Sequence, residues 1–287
     1  MIELNNLTKR FGDFTAVDHL NLTIGTGEFF GLLGPNGAGK TTTISMMSTV
    51  LLPTEGSILI DGQPLTRAAS SIKRQISIVT QEYSMRPDMT PMEVMEYQGR
   101  LYRMRRSEIK QKTEDLFEFA GLTEHRYKTV RHLSGGMKRK LMICRALMTD
   151  PSILLLDEPT AGMDALARRQ MWNLLRSINS RKMTIILTTH YMEEAETLCD
   201  RIALVNDGKL DLVQTPEAMI EDLGKYAVDT IIDAVPVSRF FTDRADAIAF
   251  LETQDEKSIL RRSTLEDVFV ERVGSRLDAG AKRRRKK

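Results

Sequence analysis

The sequence predicts an α/β fold in which a series of buried strands is interrupted by a helical insert. Short apolar or β-branched runs, Phe29–Leu33, Ile76–Thr80, Ile153–Leu156 and Thr184–Thr189, have the length and continuity of strands buried on both faces. Between the second and third of these runs, residues 92–148 are dominated by helical patterning. The first run leads directly into Gly34-Pro35-Asn36-Gly37-Ala38-Gly39-Lys40-Thr41-Thr42, a glycine-rich loop that opens an amphipathic helix.

Composition bounds the reading. With 287 residues, 41% hydrophobic and 28% charged, the chain can bury a real core and is not disordered throughout. Its longest apolar runs fall far short of the ~20 residues of a membrane-spanning helix. Met1–Asn5 lacks the basic start and apolar stretch of a signal peptide, so any work at a membrane is expected to pass through a partner. The net charge is +2, yet Lys282–Lys287 are all basic, which leaves a mildly acidic body and weakens a nucleic-acid surface. Cys144 and Cys199 lack metal-ligand spacing and read as buried reduced thiols; the four histidines are scattered. A cytosolic compartment fits.

Taken in order, Ile2–Leu7 alternates as a strand and Thr8–Asp13 carries turn chemistry around Gly12. Val17–Ile24 is a second strand with Leu20, Leu22 and Ile24 on one face. Ser57–Ile60 is another, turning at Asp61-Gly62, and Ile76–Thr80 ends at Gln81. Thr90-Pro91-Met92-Glu93 joins an N-cap, a proline at the first helical position and a capping-box glutamate. Helices are expected to about Arg105 and from Glu108 to Ala120, with Gly121 as C-cap. Basic residues from Arg100 to Lys112 alternate with Glu96, Glu108, Glu114 and Asp115, and no aromatic platform for stacking bases is interleaved, which favours a solvated face over a nucleic-acid patch. Met85, Met89, Met92 and Met95 suit either an adaptable groove or core filling.

The chemistry concentrates at strand ends and helix starts. In the Gly34–Thr42 loop, glycines let successive N–H groups converge on an anion, and the helix start adds its dipole. Lys40 supplies charge for the outer phosphates of a nucleotide, and the Thr41 hydroxyl suits Mg²⁺. Leu133-Ser134-Gly135-Gly136-Met137 opens a second helix, with Ser134 as N-cap and bare amides behind it. Asp157 and Glu158 close the strand Ile153–Leu156, at the end of an open sheet where ligands collect. Asp157 there can hold Mg²⁺, and Glu158 can polarise an attacking water. Ala161-Gly162-Met163-Asp164 turns into a helix Ala165–Asn179 with Met171, Leu174, Leu175 and Ile178 on one face, and His190 ends the strand Thr184–Thr189.

In this order the motifs resemble the nucleotide-binding subunit of an ABC transporter, over about residues 1–223. The 133–137 pentad is the specific mark, since the Gly34–Thr42 loop is shared with many ATPases. The resemblance implies a P-loop NTPase core of the ABC ATPase type, with an antiparallel β subdomain, a helical subdomain at about 83–150 and a small C-terminal α+β extension. It implies that Phe11 stacks on adenine, that Gln81 senses Mg²⁺ and a membrane partner, and that His190 lies near the γ-phosphate. It also implies that Ser134, Gly135, Gly136 and Asp164 act across a dimer interface on ATP held by another copy. The catalytic set is then Lys40, Gln81, Glu158 and His190, and the metal set Thr41, Gln81 and Asp157. Met137, Met163 and Ala165 depart from the commoner Gln, Leu and Pro without removing a catalytic group.

At the end of this stretch, Ile202–Val205 and Leu210–Val213 read as a hairpin and Thr215-Pro216-Glu217 starts a short helix. Tyr226–Ile232 reads as a strand, Thr242–Glu252 as a helix, and a last helix starts near Ser263. Ser263–Val270 is similar to the Thr-Leu-Glu-Asp-Val-Phe ending of bacterial drug- and lipo-oligosaccharide-exporter ATPases. The expected organisation is a nucleotide-binding domain over 1–223, an accessory domain over 224–272 and a basic tail over 273–287. The expected partners are a second such subunit, giving a homodimer around two ATP·Mg²⁺, and a multi-span permease that places the chain on the cytoplasmic face of the membrane. The rival reading is a soluble ABC-type ATPase acting on nucleic acid or ribosomes. Repair-type members insert a long coiled coil and translation-type members carry two cassettes, and neither feature is present.

Overall fold

The computed structural model describes residues 1–232, 235–254 and 257–274. The tail lysines and arginines Lys282–Lys287 lie outside the described residues. The chain forms two compact units, Met1–His190 with Ala203–Leu212, and Tyr191–Ile202 with the described residues from Val213 onward.

In chain order the elements are β1 Ile2–Phe11, β2 Phe14–Ile24, β3 Phe29–Leu33, α1 Lys40–Met47, β4 Glu55–Ile60, β5 Gln63–Pro64, α2 Ser70–Lys73 and β6 Ile76–Val79. The helices α3 Pro91–Leu101, α4 Arg106–Ala120 and α5 Gly135–Leu147 follow, then β7 Ile153–Asp157, α6 Ala165–Asn179, β8 Thr184–Thr189, α7 Met192–Leu198, β9 Arg201–Asn206 and β10 Lys209–Gln214. The chain continues with α8 Pro216–Leu223, β11 Tyr226–Ile232, β12 Val235–Phe241, α9 Arg244–Glu252, β13 Ile259–Arg262 and α10 Leu265–Phe269.

One sheet has the strand order β2-β1-β4-β5 with antiparallel neighbours, and a second has the order β10-β9-β3-β8-β7-β6. In the second, β3, β8, β7 and β6 run parallel, and β3, β7 and β8 are buried at every position, as the continuous apolar runs require. Register does the functional work here. Leu33 pairs with Thr189 and Asp157 with Thr188, so the carboxyl ends of β3, β7 and β8 share one edge.

The helical insert packs α3, α4 and α5 on one another around Met95, Phe117, Leu141 and Met142. Of the four methionines that suited groove or core, Met95 is core and Met85, Met89 and Met92 are half-buried. Arg100 pairs with Glu96 one turn earlier, on an exposed face, in keeping with a solvated basic stripe. The helix expected to reach Arg105 ends at Leu101 instead. Arg103 takes a left-handed φ of 60°, and α4 begins at Arg106.

The β1 strand is longer than its turn residues suggested. Lys9, Arg10 and Phe11 pair with Val17, Thr15 and Phe14 across a tight turn at Gly12-Asp13, with register shifts absorbing the irregular stretch. In the second unit, β12 and β13 flank β11, completing a sheet of which the sequence suggested one strand. Val235–Phe241 does not alternate cleanly, and Ile259–Arg262 is too short to register as a pattern. Phe250 of α9 packs on Phe241, with ring centroids 5.4 Å apart. Arg261 donates to both Asp229 and Asp267, and Asp267 also accepts from the Thr264 N–H to cap α10. The Ser263–Val270 segment is therefore held by charge-assisted bonds and by the buried Leu265 and Val268.

Candidate functional site

The loop between β3 and α1 is built by contacts that tolerate no side chain. A Cβ on Gly34 would lie 2.1 Å from the Val205 carbonyl oxygen. One on Gly39, at φ +97°, would lie 2.4 Å from that of Ala16. Gly39 is the N-cap of α1 and offers no side-chain acceptor, so the first amides of the helix are left for an anion. The Lys40 ammonium, 5% exposed, donates to the carbonyls of Gly34 (2.8 Å) and Pro35 (2.9 Å). Burial holds its pKa below the usual lysine value, opposed by the charges of Glu158 and Asp157.

At the neighbouring strand ends the buried Asp157 accepts from Thr41 Oγ1 (3.0 Å) and Thr188 Oγ1 (2.5 Å) on one carboxylate oxygen. Glu158 has φ +46°, in the left-handed region that a non-glycine residue occupies at a cost of ~1–3 kcal/mol. Its N–H is tied back to Thr188, through both carbonyl and hydroxyl at 3.1 Å. Its carboxylate meets His190 Nδ1 (3.1 Å) on one oxygen and accepts from Gln81 Nε2 (3.3 Å) on the other. Lys40, Thr41, Gln81, Asp157, Glu158 and His190 are thereby brought together from four elements and the loops beside them.

A cleft of about 390 Å³ opens over this group, lined by residues 36–42 of the loop and α1, Gln81, Glu158, Phe11, Phe14 and Ala16. The rings of Phe11 and Phe14 are 47% and 63% exposed, and Lys9 Nζ stands 5.1 Å from the Phe11 centroid. Phe14 and Thr188 are the residues sequence reasoning missed. Phe14 faces Phe11 across the hairpin, a pairing that a strand ending at Leu7 hides. Thr188 becomes relevant through its register with Asp157, which the chain order does not state.

Ser134, Gly135, Gly136 and Asp164 do not line the cleft. Ser134 caps α5, accepting from Met137 N–H at 3.3 Å, and Asp164 caps α6, accepting from Ala167 N–H at 2.8 Å. A Cβ on Gly136 would stand 3.6 Å from Ala167 Cβ, so these two helix starts are side by side.

The family described as ABC transporter matches residues 17–161. The chain belongs to the ABC transporter family. It is an ATPase of that family, and the match favours a transporter role over one on nucleic acid. It is 37% identical to a Nod factor export ATP-binding protein I of Burkholderia lata, over 95% of this chain and 97% of that one. It is 38% identical to the linearmycin resistance ATP-binding protein LnrL of Bacillus subtilis, over 81% of this chain and 74% of that one. Among solved structures it resembles the ATP-binding cassette MJ0796, a dimer in a post-hydrolysis state bound to ADP and Pi. That likeness has a TM-score of 0.68 at 29% identity and covers 75% of this chain and 98% of that one. ABC cassettes dimerise and work with membrane permease components, and ATP is the nucleotide this family binds.

Proposed function

We propose that this chain is the ATP-hydrolysing subunit of an exporter, forming a homodimer around two ATP and driving a separate multi-span permease. The observation that carries the reading is the separation within one chain of two complementary parts. The cleft is lined by the phosphate loop, Gln81 and Glu158, with Asp157 bonded to Thr41 and His190 to Glu158. The pentad at the start of α5 sits beside Asp164, outside that cleft. Each part is of use to the other when supplied by a second copy.

In this reading the amides of residues 37–42 and Lys40 hold the β- and γ-phosphates, which take over from the loop carbonyls as partners of the ammonium. Phe11 and Phe14 form a platform for adenine, which needs a π-face alone. Thr41 and Asp157 present a hydroxyl and a carboxylate 3.0 Å apart, a hard-oxygen set that fits Mg²⁺, with Gln81 beside them. Bound there, Mg²⁺ would neutralise charge on the phosphate oxygens. Glu158 orients the attacking water and takes its proton, while His190 and Gln81 fix the carboxylate. Ser134, Gly135, Gly136 and Asp164 of a second copy close over the γ-phosphate. Residues 1–223 carry this function, with 224–272 as an accessory domain.

Export as the direction is supported by the relatives, one an export protein and one a resistance protein by name. No helix among the described residues is long and apolar enough to cross a membrane, so a permease partner would hold the chain at the cytoplasmic face. The test is Glu158→Gln. It is expected to retain ATP binding while hydrolysis falls about a hundred-fold or more, and the ATP-bound chain should run as a dimer in size-exclusion chromatography. Turnover within a factor of two or three of the original would remove Glu158 from the catalytic step.

A further inference from the structure

The cleft and the pentad are joined inside one chain by a compact set of contacts. Arg139, one turn into α5, is 2% exposed, yet among the described residues no carboxylate accepts from its guanidinium. It donates instead to the backbone carbonyls of Thr80 and Gln81, the latter at 2.8 Å, and lies 5.3 Å from the ring centroid of Tyr83. Its Nε is buried with no hydrogen-bond partner among the described residues. Tyr83 donates its hydroxyl to the carbonyl of Gly135, inside the pentad, at 3.2 Å. A Cβ at Gly135 would itself lie 3.2 Å from that hydroxyl. One turn and a half further along α5, Arg145 forks onto the carbonyl and hydroxyl of Ser84, both at 2.8 Å.

A buried cation with an unpartnered N–H is costly, and its fork is spent on main-chain oxygens that any sequence would offer. What it secures is the loop that carries Gln81, and Gln81 reaches Glu158. We infer that Tyr83 and Arg139 are positioning residues that tie the pentad end of α5 to the Gln81 loop, so that capture of the pentad by a second copy's nucleotide resets Gln81 against Glu158 in the same chain. The inference rests on the trans-composed site proposed above. Under it, the two hydrolytic sites of a dimer are coupled. Each chain lends its pentad to one site and its Gln81 to the other, and the Tyr83–Arg139 contacts make those two movements one. Coupling of this sort needs differential contacts in the two states. Gly135 and Gln81 supply its two ends.

Hydrogen exchange on the full chain separates this from a structural role. In a Glu158→Gln background, adding ATP and Mg²⁺ is expected to slow exchange in both 134–138 and 80–84. Adding Tyr83→Phe, which removes one hydroxyl and keeps the ring, should leave the 134–138 response intact and weaken that of 80–84. Arg139→Lys keeps the charge but loses the two-carbonyl fork, and should decouple the segments in the same way. In the chain with Glu158 restored, Tyr83→Phe is expected to lower kcat roughly two- to ten-fold, the weight of one hydrogen bond, with ATP Kd unchanged. If 80–84 responds to ATP equally in all backgrounds, the tie is overturned while the trans-composed site stands. If 134–138 ignores ATP altogether, the trans-composed site fails and takes the tie with it.

Discussion

Two helix starts, at α1 and α5, show how similar glycine-rich sequences become different halves of a site. At α1 the cap is Gly39, left-handed and without a side-chain acceptor, and the next residue is a buried lysine. The amides there have no local partner and the positive charge is already in place. At α5 the cap is Ser134, whose hydroxyl accepts from Met137 N–H. That bond occupies a lone pair and leaves the hydroxyl proton free to donate. The first start can hold phosphate within its own cleft. The second has one side-chain donor and a few amides, and suits an anion whose other contacts come from elsewhere.

The comparison breaks most sharply in a mixing experiment. Lys40→Ala should abolish hydrolysis by removing the ammonium at α1. Ser134→Arg should abolish it by blocking α5, while leaving single-chain ATP binding unchanged. A mixed dimer of the two retains one site in which the cleft of the Ser134→Arg chain meets the pentad of the Lys40→Ala chain. Hydrolysis by the mixture is expected to rise several-fold above either variant alone. Additive background activity would place both starts in one self-contained site and end the distinction between them.

A smaller effect is expected at the rim of the cleft. A base stacked on an aromatic side chain contributes ~1–3 kcal/mol, so Phe11→Ala should weaken ATP binding at least ~5-fold. Phe14→Ala should do the same if both rings touch the base. Binding of tripolyphosphate, which has no base, should be unchanged in either variant, as read by calorimetry. A matching loss for tripolyphosphate would mean that these rings shape the loop rather than the adenine site.

How much of this was legible in the sequence depends on whether a residue's role is local. The Gly34–Thr42 loop, the acids at 157–158 and the cap at Ser134 declare themselves because their chemistry is set by a few adjacent residues. Phe14, Thr188, Tyr83 and Arg139 do not, because each acts through a partner across a hairpin, a strand register or a helix–loop contact. A basic residue at position 139 reads as one more surface charge on a lysine-rich helix, and burial against the Thr80 and Gln81 carbonyls becomes visible when the loop is folded. The small sheet of the second unit was half legible for the same reason. Its central strand, Tyr226–Ile232, is rich in apolar and β-branched residues, and its flanking strands are identified by what they pair with.

The smallest expected effect concerns whether α5 moves whole or repacks when its start is engaged. Cys144 lies on its buried face, 1% exposed, with its Sγ 3.5 Å from the Leu116 carbonyl oxygen. Burial pushes its thiol pKa up to about 12. Thiolate is the reactive form, so at pH 8 the folded chain should label at Cys144 through opening of the core and hardly otherwise. If the Tyr83 and Arg139 contacts carry α5 as a rod, ATP should leave that labelling rate unchanged or lower it, with mass spectrometry distinguishing Cys144 from the equally buried class of Cys199. A rate that rises with ATP would mean that α5 loosens from α4 as its N-terminus is captured. The pentad would then signal by local repacking rather than by rigid attachment, and the tie to Gln81 would have to be redrawn.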